Sequence, residues 1–128
     1  MAIQYKVLER GEPGVVGGGT KKFYASVKHN GTADIDELTR QIEKISTVSG
    51  ADIRAVLYSI VDVVPEMLNN GSIVNIGDLG GFRMSISSEG SDTEDEVNAG
   101  NIRRARIIFR PGKKFKEMIK TLEYQKGS

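Results

Sequence analysis

Seven basic residues, Arg103, Arg104, Arg106, Arg110, Lys113, Lys114 and Lys116, fall between Ile102 and Lys116 with no acid among them. Fixed cations at this density suit the phosphates of a polyanion, whose binding releases condensed counterions. The fifteen residues before them, Ser87 to Asn101, carry Glu89, Asp92, Glu94, Asp95 and Glu96 and no base. The formal net charge of +1 is therefore a sum of unequal parts: +7 over 102–116, −5 over 87–101 and −1 over the remainder. An acidic segment repels the partner that its basic neighbour attracts, so the question of function turns on which of the two dominates.

Other chemistries find little support. His29 is the only histidine and there is no cysteine, so neither a metal centre nor a nucleophilic triad can be assembled from these residues. Carboxylates are plentiful but nothing orients a pair of them, and an enzyme, a cofactor and a small-molecule substrate are not expected. Asp92, Glu94 and Glu96 have the spacing of calcium ligands. Val97, however, stands where the sharp-turn glycine belongs and Arg103 where the closing glutamate belongs. Gly14 to Lys21 comes near a phosphate loop, yet Thr20 occupies the lysine position and a strand pattern follows, so the segment reads as a linker.

A chain of 128 residues, 38% hydrophobic and 27% charged, fits one ordinary soluble domain. No stretch has the eighteen or so apolar residues of a membrane span, and Met1 to Leu8 lacks a signal-peptide pattern, which together point to a cytoplasmic location. Ile3, Tyr5 and Val7, and then Phe23, Ala25 and Val27, alternate with polar residues as in two short strands around a glycine-rich connection. Asp34 with Glu37 caps a helix predicted from Ile35 to Ser46. Ser49 with Asp52 starts a second, whose wide apolar face from Ile53 to Leu68 ends at Asn70-Gly71. Pro65 predicts a kink or a change of helix near Asp62 to Pro65. A face so broad is more than one chain of this size can cover, and it predicts a dimer.

From Ser72 to Ser87 the period changes to two and predicts a β-hairpin about Gly77-Asp78-Leu79-Gly80-Gly81. Arg104, Arg106 and Arg110 alternate with Ala105, Ile107 and Phe109, giving a strand with one cationic and one apolar face, its cationic row interrupted by Ile108. Pro111 opens a final helix with Phe115, Met118, Ile119 and Leu122 as its buried stripe, and Glu123 to Lys126 follows as a tail or short strand. The order is β-β-α-α-β-β-β-α, an α+β pattern. The arginine row reads either as a nucleic-acid contact or as a solvated face paired with the acidic run, itself a disordered, solvated loop. Lys113, Lys114 and Lys116 oppose the macrodipole of the helix they begin, a mild conflict that an external anion would relieve.

The two helices, the hairpin Val74-Asn-Ile-Gly-Asp-Leu-Gly-Gly-Phe82 and the segment Phe109-Arg-Pro-Gly-Lys-Lys-Phe-Lys116 resemble the bacterial histone-like DNA-bending proteins, HU and integration host factor. The resemblance covers roughly Thr32 to Leu122. Residues 1–31 look like the N-terminal β extension of HU-like variants from Bacteroides-type bacteria, leaving 32–128 as the HU-like part. It implies an intertwined homodimer, a saddle-shaped sheet on DNA, and an arm entering the minor groove with a proline wedge. The arm position here is Ser87 to Asn101, shortened and acidic, with no proline and no base. Asp78-Leu79-Gly80 stands for the usual Gly-Phe-Gly, with Leu79 able to fill the apolar position.

On the resemblance, Arg104, Arg106 and Arg110 match the returning arm strand, and Gly112, Lys113 and Lys114 match the helix start that holds backbone phosphate, with Lys116 beside them. The function implied is nucleoid-associated, largely sequence-nonspecific duplex binding through phosphates, with minor-groove wedging reduced or absent. The rival is a dimeric protein-interaction module of the same fold that has lost DNA.

Overall fold

The computed structural model describes residues 1–127, which fall into two units: Ala33–Glu117, and Met1–Thr32 together with the chain from Met118 onward. In the larger unit the two predicted helices form as their caps require. Asp34 accepts from the Glu37 N–H at 2.9 Å and starts α1, Ile35–Ile45; Ser49 accepts from the Asp52 N–H at 3.3 Å and starts α2, Gly50–Asn69. Thr39, fully buried, satisfies its hydroxyl on the Ile35 carbonyl at 2.7 Å. The side-chain amide of Gln41, and after it Arg40, hold the Glu37 carboxylate below its ordinary pKa. That contribution is present above the usual glutamate range and is lost as pH falls through the lowered value.

The chain does not change helix near Asp62–Pro65, and α2 runs through Pro65 as one element. Pro65 removes only the donor that would meet the Val61 carbonyl. Both residues lie on the exposed side, where water can take that carbonyl's bond.

The sheet of this unit has the order β3-β4-β5, from β3 (Val74–Asn75), β4 (Gly80–Ser88) and β5 (Ile102–Pro111), all antiparallel. Gly80, at φ 141°, leaves the 3₁₀ turn Gly77–Leu79 and enters β4; a Cβ there would lie 2.4 Å from the Arg110 carbonyl oxygen. Pro111, expected inside a helix, instead ends β5 opposite Gly80. β5 is an edge strand, so its missing N–H breaks no ladder. Helix α3 begins two residues later and spans Lys113–Lys120.

Among the described residues only Ile53 and Leu68 are buried large apolar side chains, each 5% exposed. Val56, Ile60, Val63 and Met67 of α2 remain exposed and, with Val74, line an open groove of about 490 Å³. Met84, Ile86 and Ile107 line a second with Leu68.

In the smaller unit β1 (Ile3–Arg10) lies between β2 (Lys22–Val27), antiparallel, and β6 (Tyr124–Lys126), parallel. The glycine-rich connection closes on itself through the Glu12 N–H and Gly18 carbonyl, 2.6 Å apart. The tail that a boundary at 31/32 assigns to the larger part thus returns to β1. The Ile3 N–H donates to Glu123 and the Gly127 N–H to Tyr5, both at 2.8 Å.

Ile53→Ala removes one of two buried anchors and is expected to cost about 2–5 kcal/mol of unfolding free energy in a urea titration. Gln41→Leu should raise the Glu37 pKa toward its usual range in an NMR titration.

Candidate nucleic-acid interface

Strand alternation builds the interface. The register of β4 with β5 pairs Ser87 with Arg104, Ser85 with Arg106, Arg83 with Ile108 and Gly81 with Arg110, and these eight residues share one face. The other face takes Phe82 against Phe109, Met84 against Ile107 and Ile86 against Ala105. Phe82 and Phe109 meet with ring centroids 5.0 Å apart, and Phe115 of α3 meets Phe109 edge-on at 6.0 Å. The aromatic trio therefore sets both the register that displays the arginines and the place where α3 starts.

Of the sequence-predicted residues, Arg104, Arg106 and Arg110 are brought together on the cationic face. Lys113, Lys114 and Lys116 lie exposed on the first turns of α3, and Gly112 joins strand to helix. The Gly112 N–H donates to the Leu79 carbonyl at 2.9 Å, and a Cβ at Gly112 would sit 2.4 Å from the Asp78 oxygen, so the chain can pass only as glycine. Arg83 is the residue that sequence reasoning missed. Its signal was available: the alternation that turns Phe82 and Met84 to the aromatic face turns Arg83 to the other. It is half-buried and shares a cleft of about 240 Å³ with Arg110, Asn75 and four glycines. Arg104 and Arg106 border a smaller pocket of about 180 Å³ with Ser85 and Ser87.

The acidic run does not neutralise this face. Among the described residues, none of Arg83, Arg104, Arg106 or Arg110 has a carboxylate at ion-pair distance. Glu89 instead pairs with Arg103, accepting from its Nε at 2.7 Å. Nor is the run an unstructured loop. It folds into 3₁₀ turns at Glu94–Glu96 and Ala99–Asn101, where the Asn98 N–H donates to the Asn101 side chain at 2.7 Å. The Gly100 N–H donates back to the Asn98 side chain at 2.8 Å, and the Glu89 N–H donates to the Asn101 carbonyl at 2.9 Å. Short asparagine side chains thus supply the turn bonds that composition alone leaves out of sight. No group of three or more His, Cys, Asp or Glu among the described residues could hold a metal ion, and no helix there is long and apolar enough to cross a membrane.

Two capped helices followed by this three-stranded sheet define an α+β fold related to HU and integration host factor. The chain belongs to the HU-HIG family, described as an HU domain fused to wHTH, Ig, or Glycine-rich motif, whose model matches residues 1–126. A solved structure of a putative bacterial DNA binding protein from Bacteroides vulgatus is similar in fold, with a TM-score of 0.61 and 20% identity over 98% of this chain. The chain spans 48% of that protein's length. No curated protein is significantly similar to the sequence.

Gly112→Ala should force the strand–helix junction apart and lower stability by about 1–3 kcal/mol, measured by chemical unfolding. The Lys113 and Lys114 amide shifts in an NMR spectrum should move with it.

Proposed function

We propose that the protein is a homodimeric, nucleoid-associated DNA-binding protein that holds duplex DNA through backbone phosphates with little sequence preference. The observation that carries this reading is the face bearing Arg83, Arg104, Arg106 and Arg110 without an acid partner. Four guanidinium groups on one sheet face repel one another, and phosphate oxygens relieve that repulsion with charge-assisted hydrogen bonds. Lys113, Lys114 and Lys116 at the start of α3, beside Gly112, add cations for the same backbone. None of these groups needs a base edge, so discrimination among sequences should be slight.

Minor-groove wedging is not part of the proposal. A wedge needs an apolar tip and cations along the arm, whereas residues 87–101 contain no proline and no base and fold into short turns. Dimerisation is supported by the groove along α2 and the second one against Met84, Ile86 and Ile107. Both leave large apolar side chains in water, and a second chain of the same shape would cover them. The observation that favours the rival interaction module is the larger unit's charge. Residues 33–117 hold 11 Lys and Arg against 14 Asp and Glu, a net −3.

Titration of random-sequence duplex DNA between low and moderate salt should give a steep fall in affinity. Each phosphate contact contributes about −0.9 to the logarithmic slope, so Arg104→Ala with Arg106→Ala should flatten it by about 1.8. Absence of binding at low salt refutes the proposal and leaves the interaction module. Deleting residues 89–96 leaves affinity unchanged if the acids are bystanders and raises it if they compete with DNA. Light scattering at micromolar concentration should give twice the mass of one chain, and Val56→Glu, placed in the α2 groove, should halve it.

A further inference from the structure

The smaller unit is the more basic part of the molecule. Residues 1–32 and 118–128 hold seven Lys and Arg against three Glu, a net +4 in a chain whose total is +1. Its sheet sorts that charge by face. Ile3, Tyr5, Val7, Phe23, Ala25 and Val27 share one side by register, and Lys6, Arg10, Lys22 and Tyr24 share the other.

On the cationic side Arg10 is paired directly with Lys22 across the two strands. Like charges directly opposite in an antiparallel pair are destabilising, and here the chain offsets the conflict only in part. Lys22 reaches Glu12 at 3.0 Å, and the Arg10 guanidinium lies over the Tyr24 ring, 4.5 Å from its centroid. The ring attracts the cation without neutralising it, so Arg10 keeps its full charge toward solvent. Lys6 lies exposed on the same face, opposite Ser26, and no carboxylate is at ion-pair distance among the described residues.

Lysines on a sheet often serve to blunt an edge against aggregation. That explanation fits Lys22 on the outer strand β2. Lys6 and Arg10 also lie on a stretch of β1 that β6 does not cover, since β6 pairs only with Ile3–Tyr5, but by register they share the sheet face of Lys22 and gather three cations there.

We propose that this face of the N-terminal sheet, centred on Lys6, Arg10 and Lys22, is a second surface for the phosphate backbone of duplex DNA, separate from the β4–β5 face. The charge is complementary, Lys6 and Arg10 stand on one strand with Lys22 on the next, and the Arg10–Lys22 repulsion that Glu12 offsets only in part is relieved further by an anion beside them. The identity of the partner is taken from the preceding reading; the surface itself rests on its own residues.

The test is a fluorescence anisotropy titration of the full chain with random-sequence duplex DNA across a salt series. Lys6→Gln with Arg10→Gln should flatten the logarithmic salt slope by about 1.8, two contacts at about 0.9 each, with an unchanged thermal midpoint. Arg10→Lys, which keeps the charge, should retain the wild-type slope. If the double variant is unstable, Lys6→Gln alone should flatten the slope by about 0.9. A folded double variant with the wild-type slope overturns this inference alone, provided that Arg104→Ala with Arg106→Ala still weakens binding. The reverse pattern overturns the β4–β5 site and keeps this one. A wild-type chain that binds no duplex DNA overturns both.

Discussion

The contact of Phe82, Phe109 and Phe115 fixes the register of β4 against β5, and with it the identity of every residue on the outer face. Side chains on a strand alternate with a period of two, so a slip of one residue in the pairing would set Arg106 and Arg110 against the apolar residues of β4. That error would break the Phe82–Phe109 contact and leave guanidinium groups beside apolar side chains. The cationic face is thus specified from the apolar face of the same two strands. The glycines complete the arrangement, since Gly80 and Gly112 let the hairpin turn and the strand–helix junction approach within distances that any side chain would block.

The apolar inventory tells a second physical story. Two buried large apolar side chains among the described residues are few for a chain of this length, while α2 and the apolar face of the sheet leave valines, isoleucines and methionines in water. Burial of apolar surface is the main favourable term in folding, at about 25 cal/mol per Å². A unit with so little of it keeps much of its apolar surface in those two open grooves.

Much of this was legible in the sequence because the signals are local. Asp34 and Ser49 cap the helices they were expected to cap, and the alternation of Arg104, Arg106 and Arg110 with Ala105, Ile107 and Phe109 located the cationic face directly. The misreadings share a cause, which is context that no local window contains. Pro65 leaves α2 a single element because the carbonyl it orphans can face water, and Pro111 ends β5 instead of opening a helix because it sits on an edge strand. The acidic run looked structureless because its order depends on the reciprocal Asn98–Asn101 bonds rather than on apolar anchors. Arg83 escaped because it is one cation in an apolar-looking strand, and only the pairing across to β5 sets it between Arg106 and Arg110.

The parallel pairing of β6 with β1 has a consequence for how the molecule assembles. Ile3 and Tyr124 are neighbours in the sheet but are separated by nearly the whole chain. Closing a flexible loop of the length between β2 and β6 costs roughly 4 kcal/mol in chain entropy. A strand of three residues, with net gains of about 1 kcal/mol per hydrogen bond, can scarcely offset that by itself. The third strand can dock stably only once the 85 intervening residues, 33–117, have folded and shortened the tether. The stability of the small sheet is therefore coupled to the folding of a unit inserted within its sequence.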